Sequence, residues 1–401
     1  MKMKTSLFLI SAFILSSCSV GNVEDKYYHY LTVDINEMNT LKSGYEKGNP
    51  DETAYVKTII SDADAEVSSE KIYTITGKEI LPPSGDRHDY ISMAPYWWPD
   101  TVKNDGSFVY LDGKFNPISR KKYTDQATLA AMCKAVKSLG YAYFFTQNDT
   151  YVERASQILE CFFIDEETRM NPNWDYTQFI PGQNEGTCFG IIETEPFLYL
   201  MESIALMHNS TAWNKELHND LKSWFSKYLE WLLTSKNGMK ERTRLNNHGT
   251  HYDVQCVSMY LFCDSVTAAA DYLRKYTLPR IEQQVAADGS QPKELARTKS
   301  WNYSTMNLGG FVNLALLADK CGVDLWHYQK NGQVYMRSMI DWFVPFLKKE
   351  KPWEWKQIIK SDVKRIKRTL EVASEVYADS SYLELSKQLV PINDMIIGQQ
   401  D

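Results

Sequence analysis

From about residue 120 to the C-terminus, apolar residues return at helical spacing in one stretch after another. Residues 123–145 carry Ala127, Leu129, Met132, Val136, Leu139 and Ala142 on that spacing, and Gly140 does not stop the run. The same period predicts helices near 150–163, 194–208, 213–235, 251–266, 268–286, 304–320, 333–349, 361–377 and 380–391, joined by short connections. Strand-like patterns are weak and confined mainly to the N-terminal part, as at KIYTI (71–75) and SFVYL (107–111) beside glycine turns. A long succession of helical hairpins buries all its apolar stripes only by closing on itself or by coiling into a superhelix. The pattern therefore predicts an all-α-dominated fold, an (α/α) toroid or incomplete α/α barrel with a few short N-terminal strands. An α-solenoid is the alternative, although no sequence repeat is visible.

The first residues follow a different logic. Two lysines in Met1–Lys4, a short apolar run from Ser6 to Ile14 and the stretch Leu15-Ser-Ser-Cys18 describe an export signal rather than a membrane span, which needs ~20 apolar residues. Leu-Ser-Ser-Cys resembles a bacterial lipobox, so residues 1–18 are expected to be a lipoprotein signal peptide with Cys18 lipidated, 19–30 a tether, and 31–401 one catalytic domain. That implies an exported lipoprotein, periplasmic or anchored to the outer membrane, touching the membrane only through its lipid. The other six cysteines, at 133, 161, 188, 256, 263 and 321, show no metal-type spacing and suggest core residues rather than a disulfide scaffold.

A net charge of −7 argues against nucleic acid as a partner, but not against an acidic ligand held in a cleft lined by cations. The 25 Tyr, 11 Trp and 16 Phe exceed what most domains carry. In an exported protein such a surplus often faces carbohydrate, although core packing takes the larger share.

Three polar, glycine-punctuated segments are the candidate loops: 171–193, 240–253 and 290–307. In the second, LNNHGTHYD (245–253), Asn247 or Thr250 would serve as a helix N-cap. His248 and His251 with Asp253 form an incomplete set for zinc, so no metal and no cofactor are expected. Asn247 and His248 are instead suited to donate hydrogen bonds to a substrate carboxylate. Lys240, Arg242 and Arg244 just before them would make a local positive rim or a solvated helix end. In the third segment Tyr303 stands near a helix start and near Arg297, a setting that would favour the phenolate and fit it for base work. The plainer alternative pairs Arg297 with Glu294 and puts Tyr303 and Trp301 over the core. The first segment holds Gln178, Gln183, Asn184, Glu185 and Glu193.

Taken in order, GDRHDYISMAPYWWPD (85–100), NPNWDYTQFIPG and GIIET within 171–194, NNHGTHYD and ELARTKSWNYSTMNL resemble the alginate lyase family of polysaccharide lyases, over nearly all of residues 85–325. The resemblance implies an α/α toroid that cuts uronic-acid polymers by β-elimination. It matches Asn247 and His248 to the family's Asn-His pair, Arg297 to its arginine and Tyr303 to its catalytic tyrosine. After IPG, where many relatives have Gly-Arg, this chain reads Glu185-Gly186-Thr187, a departure that bears on substrate preference.

β-Elimination removes the C5 proton of a uronate, which requires its carboxylate to be neutralised and the enolate-like intermediate to meet fixed donors. Asn247, His248 and Arg297 are the expected neutralisers, and Tyr303 the residue that takes the C5 proton and returns one to the departing O4. In mannuronate and glucuronate both groups lie on one side, within reach of one tyrosine; guluronate and iduronate need a second base such as His248. Asn184, Gln183, Gln178, Arg87, His88, Tyr96, Trp97 and His251 are the candidate substrate-binding residues. The rivals are a glycoside hydrolase on the same toroid, using carboxylates such as Glu185, Glu193 or Asp175, and a non-catalytic glycan-binding lipoprotein.

Overall fold

The computed structural model describes residues 30–103 and 105–389; Cys18, the signal peptide and the tether up to residue 29 lie outside the described residues. In chain order the elements are α1 (Ile35–Glu46), α2 (Pro50–Val67), β1 (Ile91–Met93), β2 (Trp97–Pro99), β3 (Phe108–Tyr110), α3 (Ile118–Lys121), α4 (Asp125–Thr146) and α5 (Asp149–Phe163). Next come β4 (Tyr176–Phe179), a 3-10 segment at Cys188–Thr194, α6 (Phe197–Met207), α7 (Lys215–Thr234), α8 (Lys236–Arg242) and α9 (Asn247–Phe262). α10 (Val266–Tyr272) runs through a π-helical turn at Leu273–Thr277 into α11 (Leu278–Gln284). The rest is α12 (Pro292–Leu295), α13 (Ser300–Lys320), a hairpin of β5 (Gln329–Lys330) and β6 (Gln333–Val334), α14 (Tyr335–Leu347), α15 (Lys364–Val376) and α16 (Ser380–Leu389).

Two kinds of helix build an α/α toroid. α4 packs on α6, α6 on α9, α9 on α13 and α13 on α15, and a second layer backs them: α2 and α5 on α4, α7 on α9, α14 on α13, α16 on α15. Arg368 of α15 acts on Lys137 and Tyr141 of α4, so the last inner helix returns to the first. Outer helices are amphipathic. α7 buries Leu217, Leu221, Trp224, Phe225, Tyr228, Leu229 and Leu232, and Asn214 caps it by accepting from the Glu216 N–H at 2.8 Å. The inner helix α9 is buried on almost every side: Asn247 and all residues from Gly249 to Met259 are buried. Where α4 meets α6 the backbones come close, and a Cβ on Gly140 would lie 2.9 Å from Ser203.

The hydrophobic core extends from Leu31 to Leu385. All six described cysteines are free, and no helix of the described residues is long and apolar enough to cross a membrane.

The strand expectations divide. Residues 107–111 contain β3, which pairs antiparallel with β2, Trp97 facing Tyr110. KIYTI at 71–75 is not a strand: Tyr73 and Ile75 are buried, but no strand pairs with the segment, and the Tyr73 hydroxyl bonds Glu66 at 3.0 Å. A parallel pairing of β1 with β4, Ile91 beside Tyr176, brings residues 91–96 against the first candidate loop.

Candidate active site

Tyr303 lies in the first turn of α13. Lys299 at the helix N-cap makes no side-chain capping bond. The distant segment 356–357 ties the turn down instead: the Ser300 N–H donates to the Lys356 carbonyl at 3.1 Å and the Trp301 N–H to Gln357 Oε1 at 3.0 Å. Tyr303 shares a hydrogen bond of 2.9 Å with the Tyr96 hydroxyl, and the Arg297 guanidinium lies 3.9 Å from the centre of its ring.

Arg297 is fixed by Asp112, not by Glu294. Its Nη2 donates to Asp112 Oδ1 at 2.7 Å, and the same carboxylate accepts from the Thr298 N–H at 3.0 Å and the Tyr110 hydroxyl at 2.9 Å. Burial works to raise the Asp112 carboxyl, but the Arg297 and Thr298 bonds prevail and hold it well below the ordinary range. The charge of Arg297 acts on Tyr303 in the expected direction but does not prevail. Burial pushes the phenol well above its ordinary value of 10.0 and Tyr96 adds to this, outweighing the charge of Arg297. The guanidinium sits over the ring face and its charge lowers the phenol, but by less than burial and Tyr96 raise it.

Two buried carboxylates clamp the Asn-His pair. Glu294 accepts from the Asn247 backbone N–H at 2.6 Å and from Asn247 Nδ2 at 2.7 Å. Glu241, wholly buried on α8, meets His248 Nδ1 at 2.6 Å, which leaves Nε2 for a substrate. Burial pushes the Glu294 carboxyl up, opposed by the Asn247 bonds and then by the charges of Arg297 and His248. Glu294 thus links the two halves: it holds Asn247 while feeling both Arg297 and His248.

The rest of LNNHGTHYD supports this pair. The N-cap is Asn246 rather than Asn247 or Thr250. Asp253 is buried in an ion pair with Arg280, Nε to Oδ2 2.6 Å, and Arg280 in turn donates to the carbonyls of Arg244 at 2.5 Å and Arg242 at 2.8 Å. Gly249 is required here, because a Cβ would fall 2.0 Å from the Arg244 carbonyl and 2.2 Å from Arg280 Nη1. His251 does not face a cleft: it is 2% exposed, 3.3 Å from Glu195, and packed beside Gly310 of α13.

The other expected binding residues scatter. Tyr96 stands at the tyrosine, and Trp97 packs on Tyr110 at 5.8 Å between ring centres. Gln183 Nε2 donates to the Phe108 carbonyl at 3.4 Å, tying its loop to the hairpin behind Tyr96. The Asn184 amide turns back on its own loop, accepting from the Ile180 N–H at 3.1 Å. Gln178 adopts a left-handed φ of 41° and donates to Glu193 Oε1 at 3.1 Å. Arg87 is exposed and His88 bonds the Arg169 carbonyl at 2.6 Å. Glu193 also accepts from the Tyr90 hydroxyl at 2.8 Å and is buried, while Asp175 accepts from Trp231 Nε1 at 3.1 Å.

Sequence reasoning missed Asp112, Glu241 and the role of Glu294. Nothing in their local sequence marks them; Asp112 meets Arg297 across 185 positions.

In this helical toroid the half-buried Tyr303–Arg297 pair and the carboxylate-clamped Asn247–His248 pair both lie near the buried Glu294. Residues 74–353 match the family model described as alginate lyase, and the chain belongs to that family. An alginate lyase from Bacteroides ovatus shares 31% identity and superposes with a TM-score of 0.86, over 91% of this chain and 97% of that one. Alginate lyase A1-III from a Sphingomonas species shares the fold, at 14% identity and a TM-score of 0.55 over 90% of this chain and 92% of the other. A histidine-to-alanine variant of A1-III, complexed with a tetrasaccharide, gives 16% identity and 0.54 over 92% of each. No protein of curated function matches the sequence. The protein is a polysaccharide lyase.

Proposed function

We propose that this lyase cleaves an acidic polysaccharide, polymannuronate within alginate or glucuronan, by metal-independent β-elimination that leaves 4,5-unsaturated uronate ends. Asn247 and His248 donate to the carboxylate of the sugar being cut, and Arg297 supplies charge nearby. Tyr303, in its deprotonated fraction, takes the C5 proton and passes one to O4 as the C4–O4 bond breaks. The observation that carries this reading is Glu294, which bonds Asn247 and feels both Arg297 and His248, joining the donor pair to the tyrosine side.

A second reading has its own support. A phenol kept protonated by burial suits the acid role, and His248 with Nδ1 on Glu241 suits the base role, the division that guluronate requires. A screen of polymannuronate, polyguluronate, glucuronan and a heparin-type polymer for ultraviolet-absorbing product tests both. Turnover of polymannuronate or glucuronan, lost in Tyr303→Phe and unchanged by EDTA, is the expected result. Saturated products, or binding without product, would favour the hydrolase or the glycan-binding alternative. The N-terminal pattern supports export as a lipoprotein anchored through Cys18 at the periplasmic or outer-membrane face.

A further inference from the structure

The basic run before the Asn-His pair splits by environment. Lys240 is exposed, and Arg242 lies 4.8 Å over the ring of Tyr276. Arg244 is different. Its guanidinium lies 4.4 Å over the ring of Phe189, and Phe189 meets His248 edge-on with ring centres 5.3 Å apart. The nearest described carboxylate oxygen, Glu241 Oε2, is 3.9 Å away on a carboxylate already bonded to His248. Arg244 Nη2 reaches only the sulfur of Cys188 at 3.5 Å, a weak acceptor, and Nε has no hydrogen-bond partner among the described residues. The side chain is one-third exposed, and Phe189 beside it is 37% exposed. Its backbone is not free to drift, because Arg280, locked by Asp253, holds the Arg244 carbonyl at 2.5 Å.

We propose that Arg244, stacked on Phe189, forms a second carboxylate-binding subsite on the His248 side of the cleft, which takes the uronate next to the one cleaved. A partly exposed guanidinium held flat on a ring, whose Nη2 has only a sulfur for a partner and whose Nε has none, keeps donor capacity for a carboxylate, and the exposed edge of Phe189 offers an apolar face to the same sugar. This assignment rests on the reading of the site as one for uronic-acid polymers. It makes Arg244 a substrate-binding residue that acts mainly on affinity, since the sugar it holds is not the one that reacts.

The test compares wild type, Arg244→Gln and Arg244→Lys in the full chain on a mannuronate oligomer series. The expected result is a KM raised about tenfold in Arg244→Gln with kcat within about twofold, a partial recovery in Arg244→Lys, and a difference that shrinks as salt is added. An unchanged KM, or a loss confined to kcat, would overturn the proposal, the latter showing that Arg244 only positions Glu241 and His248. Binding of a mannuronate tetrasaccharide to Tyr303→Phe, with and without Arg244→Gln, separates this from the reaction itself. If wild type turns over no uronate polymer, the proposed function fails; equal tetrasaccharide affinity in the two Tyr303→Phe proteins overturns the subsite whether or not turnover occurs.

Discussion

Replacing Glu241 with glutamine isolates what a buried carboxylate does for His248. The side chain is wholly buried and its Oε1 lies 2.6 Å from Nδ1 of the imidazole. Glutamine keeps the shape and an acceptor oxygen but removes the charge, so a charge-assisted bond worth ~1.5–3 kcal/mol becomes a neutral one worth ~0.5–1.5 kcal/mol. If His248 gains positive character as the substrate carboxylate is neutralised or the C5 proton moves, the difference of ~1–2 kcal/mol falls on the transition state. It converts to a drop in kcat of about 5- to 30-fold, with KM little changed. Initial rates of ultraviolet-absorbing product measure it, with circular dichroism and Tm to verify the fold. The decisive comparison is a double-mutant cycle with His248→Ala. Glu241→Gln should cost almost nothing once the imidazole is gone; an equal loss in both backgrounds would mean that Glu241 serves the packing of α8 and not His248.

Other substitutions probe the remaining parts. Tyr303→Phe should lower kcat by ~10²–10⁴-fold with KM within a few-fold, measured on the best polymer from the substrate screen. Because burial holds the Tyr303 phenol above 10.0, a tyrosinate base predicts a wild-type kcat that climbs about tenfold per pH unit into the alkaline range; a profile flat above neutrality favours the His248 base. Asp112 titrates below its unfolded value of ~3.9, so its contribution to stability is present above that pH and is lost as pH falls through the depressed folded value. Asp112→Asn should therefore lower Tm at pH 7, and the gap from wild type should close on acidification; a constant gap would refute the Asp112–Arg297 linkage. Gly249→Ala, with no room beside the Arg244 carbonyl and Arg280, should cost ~1–3 kcal/mol in urea unfolding and reduce activity together with stability.

What could be read from the chain follows from how each element is buried. α5 and α7 bury one face and expose the other, so their apolar period is visible in the sequence. α9 has no exposed face over most of its length and carries polar residues in its first turn, so its apolar pattern begins at 251 although the helix begins at Asn247. α1 and α2 went unpredicted because each buries little, in α2 only Val56, Ile59 and Ala63. The candidate residues Tyr303, Arg297, Asn247 and His248 were legible through the resemblance of their motifs. Their supports were not, because an ion pair between Asp112 and Arg297 or a bond from Glu241 to His248 depends on the closed toroid and has no sequence period. Local proximity even misleads: Arg297 is three residues from Glu294, yet it binds Asp112, because Glu294 is committed to Asn247.

The most direct test is a crystal structure of Tyr303→Phe with a mannuronate tetrasaccharide bound. The account predicts one sugar with its carboxylate within hydrogen-bond distance of Asn247 Nδ2 and His248 Nε2, and with C5 turned toward the ring of residue 303. A tetrasaccharide seated so that no sugar meets both sides would contradict it.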